Sequence, residues 1–129
     1  MTRVASIAAV LALVVASPAG AAGLPGVWLT PPDQKAQTGH VEIIPCGGAM
    51  CGTVIGAFDR AGRPIRTVAV GRRVLWDVTG AGGRHTGRVF VPTMNSAFPV
   101  TLVENGNRLN LRACNSVGIC RSQTWQRVR

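Results

Sequence analysis

The chain has 129 residues, 47% of them hydrophobic, and a formal net charge of +9 at pH 7. That length holds one ordinary domain with a modest core, and an aromatic content of 5% with no tyrosine leaves little material for stacking platforms or aromatic cages. Nearly all the positive charge is arginine, Lys35 being the only lysine, and the arginines stand singly apart from Arg72-Arg73, which is the pattern of a solubilising surface rather than of a nucleic-acid-binding stretch.

The N-terminus opens with Met1-Thr2-Arg3, continues without charge from Val4 to Ala16, and ends in small residues that include Ala19-Gly20-Ala21. A basic start, a short apolar run and an Ala-x-Ala tail are the parts of a secretory signal peptide. The run is too short for a spanning helix, which needs roughly 20 apolar residues. The expectation is a leader over residues 1–22, cleaved after Ala21 or Ala22, with no membrane-spanning segment in the chain that follows. Residues 23–129 then form a single periplasmic or secreted domain.

Along that domain the signal is short β-prone segments between Gly, Pro, Asn and Asp turns, with no long apolar run at helical spacing. Val27–Thr30 stops at Pro31-Pro32-Asp33, and residues 34–39 read as a polar loop. Val41–Ile44 and Thr53–Phe58 read as a hairpin, its turn closed by Cys46 and Cys51. Ile65–Val70 is extended with weak alternation, whereas Arg73–Val78 is a clearer strand that ends at the glycine turn of residues 80–83. Arg88–Val91 stops at Pro92. Val100–Glu104 leads into Asn105-Gly106, the preferred pair for a type I′ turn, and Arg108–Arg112 returns with both leucines on one face. Arg121–Arg129 is the last strand, with Trp125 near its middle. About eight short strands in this length suit an all-β fold, a small antiparallel β-barrel.

The four cysteines stand as C-x4-C (Cys46, Cys51) and C-x5-C (Cys114, Cys120). A cytosolic protein with that set would raise a four-thiolate zinc site, but oxidation is the default after export. Of the three pairings open to four cysteines, the two local ones are favoured because each pair flanks a short glycine-containing loop. No metal is expected.

Several segments together resemble a family of exported bacterial proteins, domain of unknown function 2147. Gly26-Val27-Trp28-Leu29-Thr30 is similar to its opening motif, and Val41 to Gly47 followed by Cys51-Gly52 to its cysteine hairpin. Gly62-Arg63-Pro64-Ile65 resembles the next turn, and Gly87 to Pro92 a Gly-x-x-x-x-Pro element. Leu109-x-Leu111-Arg112-x-Cys114 with Cys120-Arg121-Ser122-Gln123-Thr124-Trp125-x-Arg127 resembles its closing motif. Val91 and Phe98 stand where that family usually has Asp and Tyr. The resemblance implies a lipocalin-like barrel in the Gram-negative envelope. Gly-x-Trp on the first strand with an arginine on the last also resembles the lipocalin-type signature, in which the two side chains stack to close one barrel end. Carried onto this chain, the stack pairs Trp28 with Arg127 or Arg121 and serves as a barrel plug rather than a ligand contact.

No catalytic constellation is visible. His40 and His85 sit in polar or glycine-rich turns without a local carboxylate to pair with, the serines lack a nucleophile elbow, and residues 80–83 read as a turn rather than a phosphate loop. The expectation is a non-enzymatic, monomeric barrel without cofactor. Its partner is a small hydrophobic or amphipathic ligand, held among Trp76, Phe90, Phe98, Leu102 and Leu111. The alternative is an envelope protein that touches anionic lipid or a protein partner through its arginines. Nucleic acid is not an expected partner.

Overall fold

A computed structural model describes residues 23–129; the expected leader and its cleavage position lie outside them. Eight strands follow in order: β1 (Gly26–Leu29), β2 (Thr38–Cys46), β3 (Ala49–Phe58), β4 (Arg73–Ala81), β5 (Arg84–Val91), β6 (Ser96–Asn105), β7 (Arg108–Cys114) and β8 (Cys120–Arg127). Each pairs antiparallel with the next, and β8 returns to β1 through Trp28↔Arg127, so the sheet closes into a barrel. Closure leaves no exposed sheet edge.

Alternation sets which residues enter the interior. In β7 Leu109 and Leu111 are buried while Arg108, Asn110 and Arg112 are exposed. Through the pairing register the inward rows run Gly87–Val100–Ala113–Arg121 and His85–Leu102–Leu111–Gln123. Three irregularities bend the strands as closure requires. One displaces β3 at Ile55, opposite the His40–Val41 step; the other two lie in β4, at Val74 opposite the Gly52–Thr53 step and at Asp77, whose φ is 54°.

Two local expectations change. Ile65–Val70 forms no strand. Val70 N–H donates to the Thr67 carbonyl, Ala69 N–H to Thr67 Oγ1, and Arg72 N–H to the Ala69 carbonyl, so local bonds fold the segment into turns. It is tied to β3 only by its ends, through Ile65 N–H to Ala57 and Gly71 N–H to Val54. The β6–β7 turn has Gly106 and Asn107 as its central residues, because Asn105 already pairs with Arg108. Only Gly106 takes a positive φ, 64°, the pattern of a turn with glycine first.

The barrel ends differ. Short turns at residues 47–48, 82–83 and 106–107 and both ends of the described chain gather at one end. The connections 30–37, 59–72, 92–95 and 115–119 gather at the other. The core fills the first end: Leu24, Trp28, Ile43, Leu75, Val78, Leu102 and Leu109 are all fully buried.

Cys46–Cys51 clamps the β2–β3 turn and Cys114–Cys120 the β7–β8 connection. On the chain-entropy relation, closing a loop this short stabilises the fold by about 2 kcal/mol. The double variant Cys114→Ser/Cys120→Ser is therefore expected to lower the unfolding free energy by about 2 kcal/mol in a urea titration. An unchanged midpoint would show that this bridge contributes nothing to stability.

Candidate ligand-binding site

The four longer connections surround a mouth, and below it lies a cavity of about 830 Å³. This is within the ~300–1,000 Å³ usual for small-molecule sites. Its apolar wall includes Val41 from β2, Val54 from β3, Val74 from β4, Val100 from β6, Leu111 from β7 and Trp125 from β8. Trp125 is 5% exposed, and its indole Nε1 donates to Gln123 Oε1 at 3.0 Å.

Going up β8 from Trp125, the next inward positions are Gln123 and Arg121. Both line the cavity, and both are solvent-exposed although they face inward. The barrel is thus packed in its lower half and open above. The other charged lining residues are Lys35 and Asp33 at the rim. Asp33 Oδ1 accepts the backbone N–H groups of Lys35 and Gln37 at 2.8 and 3.0 Å. Among the described residues the only ion pair joins Arg63 to Asp59, so Arg121 carries no partner carboxylate.

Of the residues expected to face a ligand, Phe90, Phe98 and Leu111 line the cavity. Phe90 sits at the mouth with the Arg72 guanidinium 4.9 Å over its ring. Trp76 and Leu102 do not line it. Trp76 pairs with Arg88 on the outer row, because the Asp77 bulge shifts the alternation of β4 and sends Leu75 and Val78 inward instead. Leu102 faces inward but lies deeper, fully buried in the packed half. Trp125, Gln123 and Arg121 line it as well, outside the expected set. The signal that finds them is the period of two along Arg121-Ser122-Gln123-Thr124-Trp125-Gln126-Arg127.

At the closed end the Arg127 guanidinium lies 4.3 Å over the Trp28 ring. Arg121, at the opposite end of the same strand, takes no part. Arg127 Nε donates to the Gly106 carbonyl at 3.2 Å, Nη1 to Pro25 at 3.1 Å, and Nη2 to Gly23. The Trp28 indole donates to the Leu24 carbonyl at 3.0 Å. One side chain therefore ties the start of the described chain, the β6–β7 turn and the last strand together.

The histidines lie on strands rather than in turns. His40 is on β2, its ring 4.5 Å from that of Phe58. Burial, with the charge of Arg129 second, holds its imidazole below the usual range. His85 is on β5 and buried, and its Nδ1 has no hydrogen-bond partner among the described residues. No three His, Cys, Asp or Glu side chains among the described residues converge as metal ligands.

Residues 26–127 match the model of a family described as an uncharacterized protein conserved in bacteria, DUF2147. No curated protein matches the chain. Among solved structures, protein HP1028 from the human pathogen Helicobacter pylori, which belongs to the lipocalin family, is similar with a TM-score of 0.63. The likeness covers 82% of this chain and 83% of that one at 19% identity. At that identity it shows the fold, a lipocalin-like barrel, and nothing about ligands.

Proposed function

The chain belongs to this family of uncharacterised bacterial proteins, and on that footing we propose that it is an exported, non-catalytic carrier binding one small amphipathic molecule in the open half of its barrel. The observation that carries the reading is the cavity itself, apolar at its Trp125 floor and cationic at its mouth. An apolar segment gains by leaving water against Val41, Val54, Val100 and Leu111. The polar end of the same molecule meets Arg121 and the Gln123 amide. With Asp33 occupied by its own loop, the polarity suits an acidic head group. Two disulfides support an oxidising compartment, and hence export.

Decanoate and decanol, titrated into the oxidised protein by calorimetry, test the reading. Both are expected to bind, decanoate the tighter. Arg121→Gln is expected to weaken decanoate about tenfold, the scale of one charge-assisted hydrogen bond at a partly solvated site, and to leave decanol unchanged. Ala113→Phe places a ring in the cavity from the row between Val100 and Arg121 and is expected to abolish both titrations with the fold retained. Undiminished binding in Ala113→Phe would place the ligand elsewhere and end the carrier reading.

A second reading, contact with an anionic surface of the cell envelope, is supported by the charge balance of residues 23–129, 13 Lys and Arg against 5 Asp and Glu.

A further inference from the structure

Exposed apolar side chains are unevenly placed on this barrel. Among the described residues, the large hydrophobics more than half exposed are Val68 at 90%, Val117 at 75%, Ile119 at 62% and Met94 at 52%. Each lies in a different turn or at a different point of the mouth: Val68 in the 59–72 connection, Met94 in the short 3-10 turn Pro92–Met94, and Val117 with Ile119 in the loop closed by Cys114–Cys120. Three connections far apart in sequence thus present their apolar tips at one end of the molecule. Scattered single exposures need no explanation, but a cluster at one face does.

The same end is cationic. Its connections carry Lys35, Arg60, Arg63, Arg66 and Arg72, all exposed, with Arg121 just inside. Against them stand Asp33 and Asp59. The first caps its own loop, and the second pairs with Arg63 at 3.1 Å. Apolar tips set in a collar where cations outnumber carboxylates match the two layers of an anionic bilayer interface: acyl boundary for the tips, phosphate for the arginines. The covalent clamp on residues 115–119 adds to the match, because it holds Val117 and Ile119 out without an ordering cost on binding.

We propose that the protein docks mouth-first on an anionic lipid bilayer, with Val68, Met94, Val117 and Ile119 entering the interface. This deepens the second reading above, the anionic-surface contact, and rests on it; it does not require the cavity to be filled. The rival contact is side-on, through a shallow dip on the outer face of β5–β7 where Arg84, Thr101, Asn110 and Arg112 meet. That face lacks exposed apolar tips of comparable size, Val103 being 38% exposed.

Flotation of the oxidised protein without its leader (residues 23–129), with vesicles of phosphatidylglycerol and phosphatidylcholine against phosphatidylcholine alone, tests the orientation. The protein is expected to float with the anionic vesicles at physiological salt and to be partly released at 1 M salt, where the Debye length falls to about 3 Å. Val117→Asp/Ile119→Asp is expected to reduce partitioning about tenfold or more through lost apolar insertion and added repulsion. Arg84→Ser/Arg112→Ser is expected to leave it unchanged. Both replaced pairs are exposed, so unfolding midpoints should match the parent. As an independent readout, Val117→Trp should gain a blue-shifted emission on anionic vesicles that brominated lipid quenches. If the Arg84/Arg112 variant abolishes flotation while the Val117/Ile119 variant floats normally, the contact is side-on and the mouth-first assignment is overturned, the anionic-surface reading surviving. Absence of flotation with anionic vesicles overturns both.

Discussion

Replacing Trp28 with alanine is expected to lower the unfolding free energy by about 3–5 kcal/mol, the range for truncating a large aromatic in a packed core. Trp28 is fully buried and packs within the cluster that includes Leu24, Ile43, Leu75 and Leu109. Three losses coincide on truncation. The indole volume becomes a cavity in the tightest part of the barrel. The Leu24 carbonyl loses its donor, and an acceptor left unpaired in the interior costs more than the bond itself contributed. The Arg127 guanidinium loses the ring 4.3 Å beneath it, a contact of about 0.5–2 kcal/mol. Urea unfolding of the oxidised variant measures the sum, and an unshifted midpoint would refute the plug. A second readout separates plug from ligand contact. Trp28 does not line the cavity, so the decanoate affinity of the folded variant should equal that of the parent.

That pairing is legible in the sequence because strand and motif information coincide there. Trp28 lies on the first strand and Arg127 ends the last, and an antiparallel barrel of an even number of strands brings the start of the first strand and the end of the last to the same rim. The two local disulfides and the β7 alternation are legible for similarly local reasons. Closing the ring needs no long-range guess once each hairpin is in place, since every strand pairs with its neighbour in sequence.

The cavity is less legible, and the errors have two physical sources. Alternation reports which side of a strand a residue occupies but not how deep along the barrel it lies. Leu102 and Leu111 pair directly and both face inward, yet one is core and the other cavity wall. Alternation also fails where a bulge intervenes. Val74, Trp76 and Val78 look like one face, but a register shift at Val74 and the Asp77 bulge, φ 54°, flank Trp76 and leave it outside. His85 shows a third limit. Flanked by Arg84 and Thr86 after a glycine run, it reads as a loop residue, but its partner across the sheet from β5 is Leu102, and only that tertiary pairing buries it.

The closed end also depends on a residue with no side chain. Gly26→Ala is expected to cost about 2–4 kcal/mol, combining backbone strain with the loss of one buried hydrogen bond. Gly26 holds φ 141°, a region that L-residues rarely occupy. A Cβ built there lies 2.6 Å from the Arg129 carbonyl oxygen and 2.8 Å from Arg127 Nη1. The guanidinium can shift aside at the expense of its stack on Trp28. The carbonyl cannot shift so cheaply, because it is backbone and accepts the Val27 N–H at 2.6 Å. The methyl group must therefore push the last residues off β1, opening the β1–β8 seam. Besides the Val27 bonds to Val128 and Arg129 that the methyl group would disturb, only two register pairs, Trp28↔Arg127 and Leu29↔Gln126, hold that seam, so it has little capacity to absorb the displacement. A double-mutant cycle with a chain ending at Arg127 isolates the carbonyl contact. With Val128 and Arg129 removed, the cost of Gly26→Ala should shrink toward the strain alone. Strictly additive costs would show that the Arg129 carbonyl is not what demands glycine at the start of the first strand.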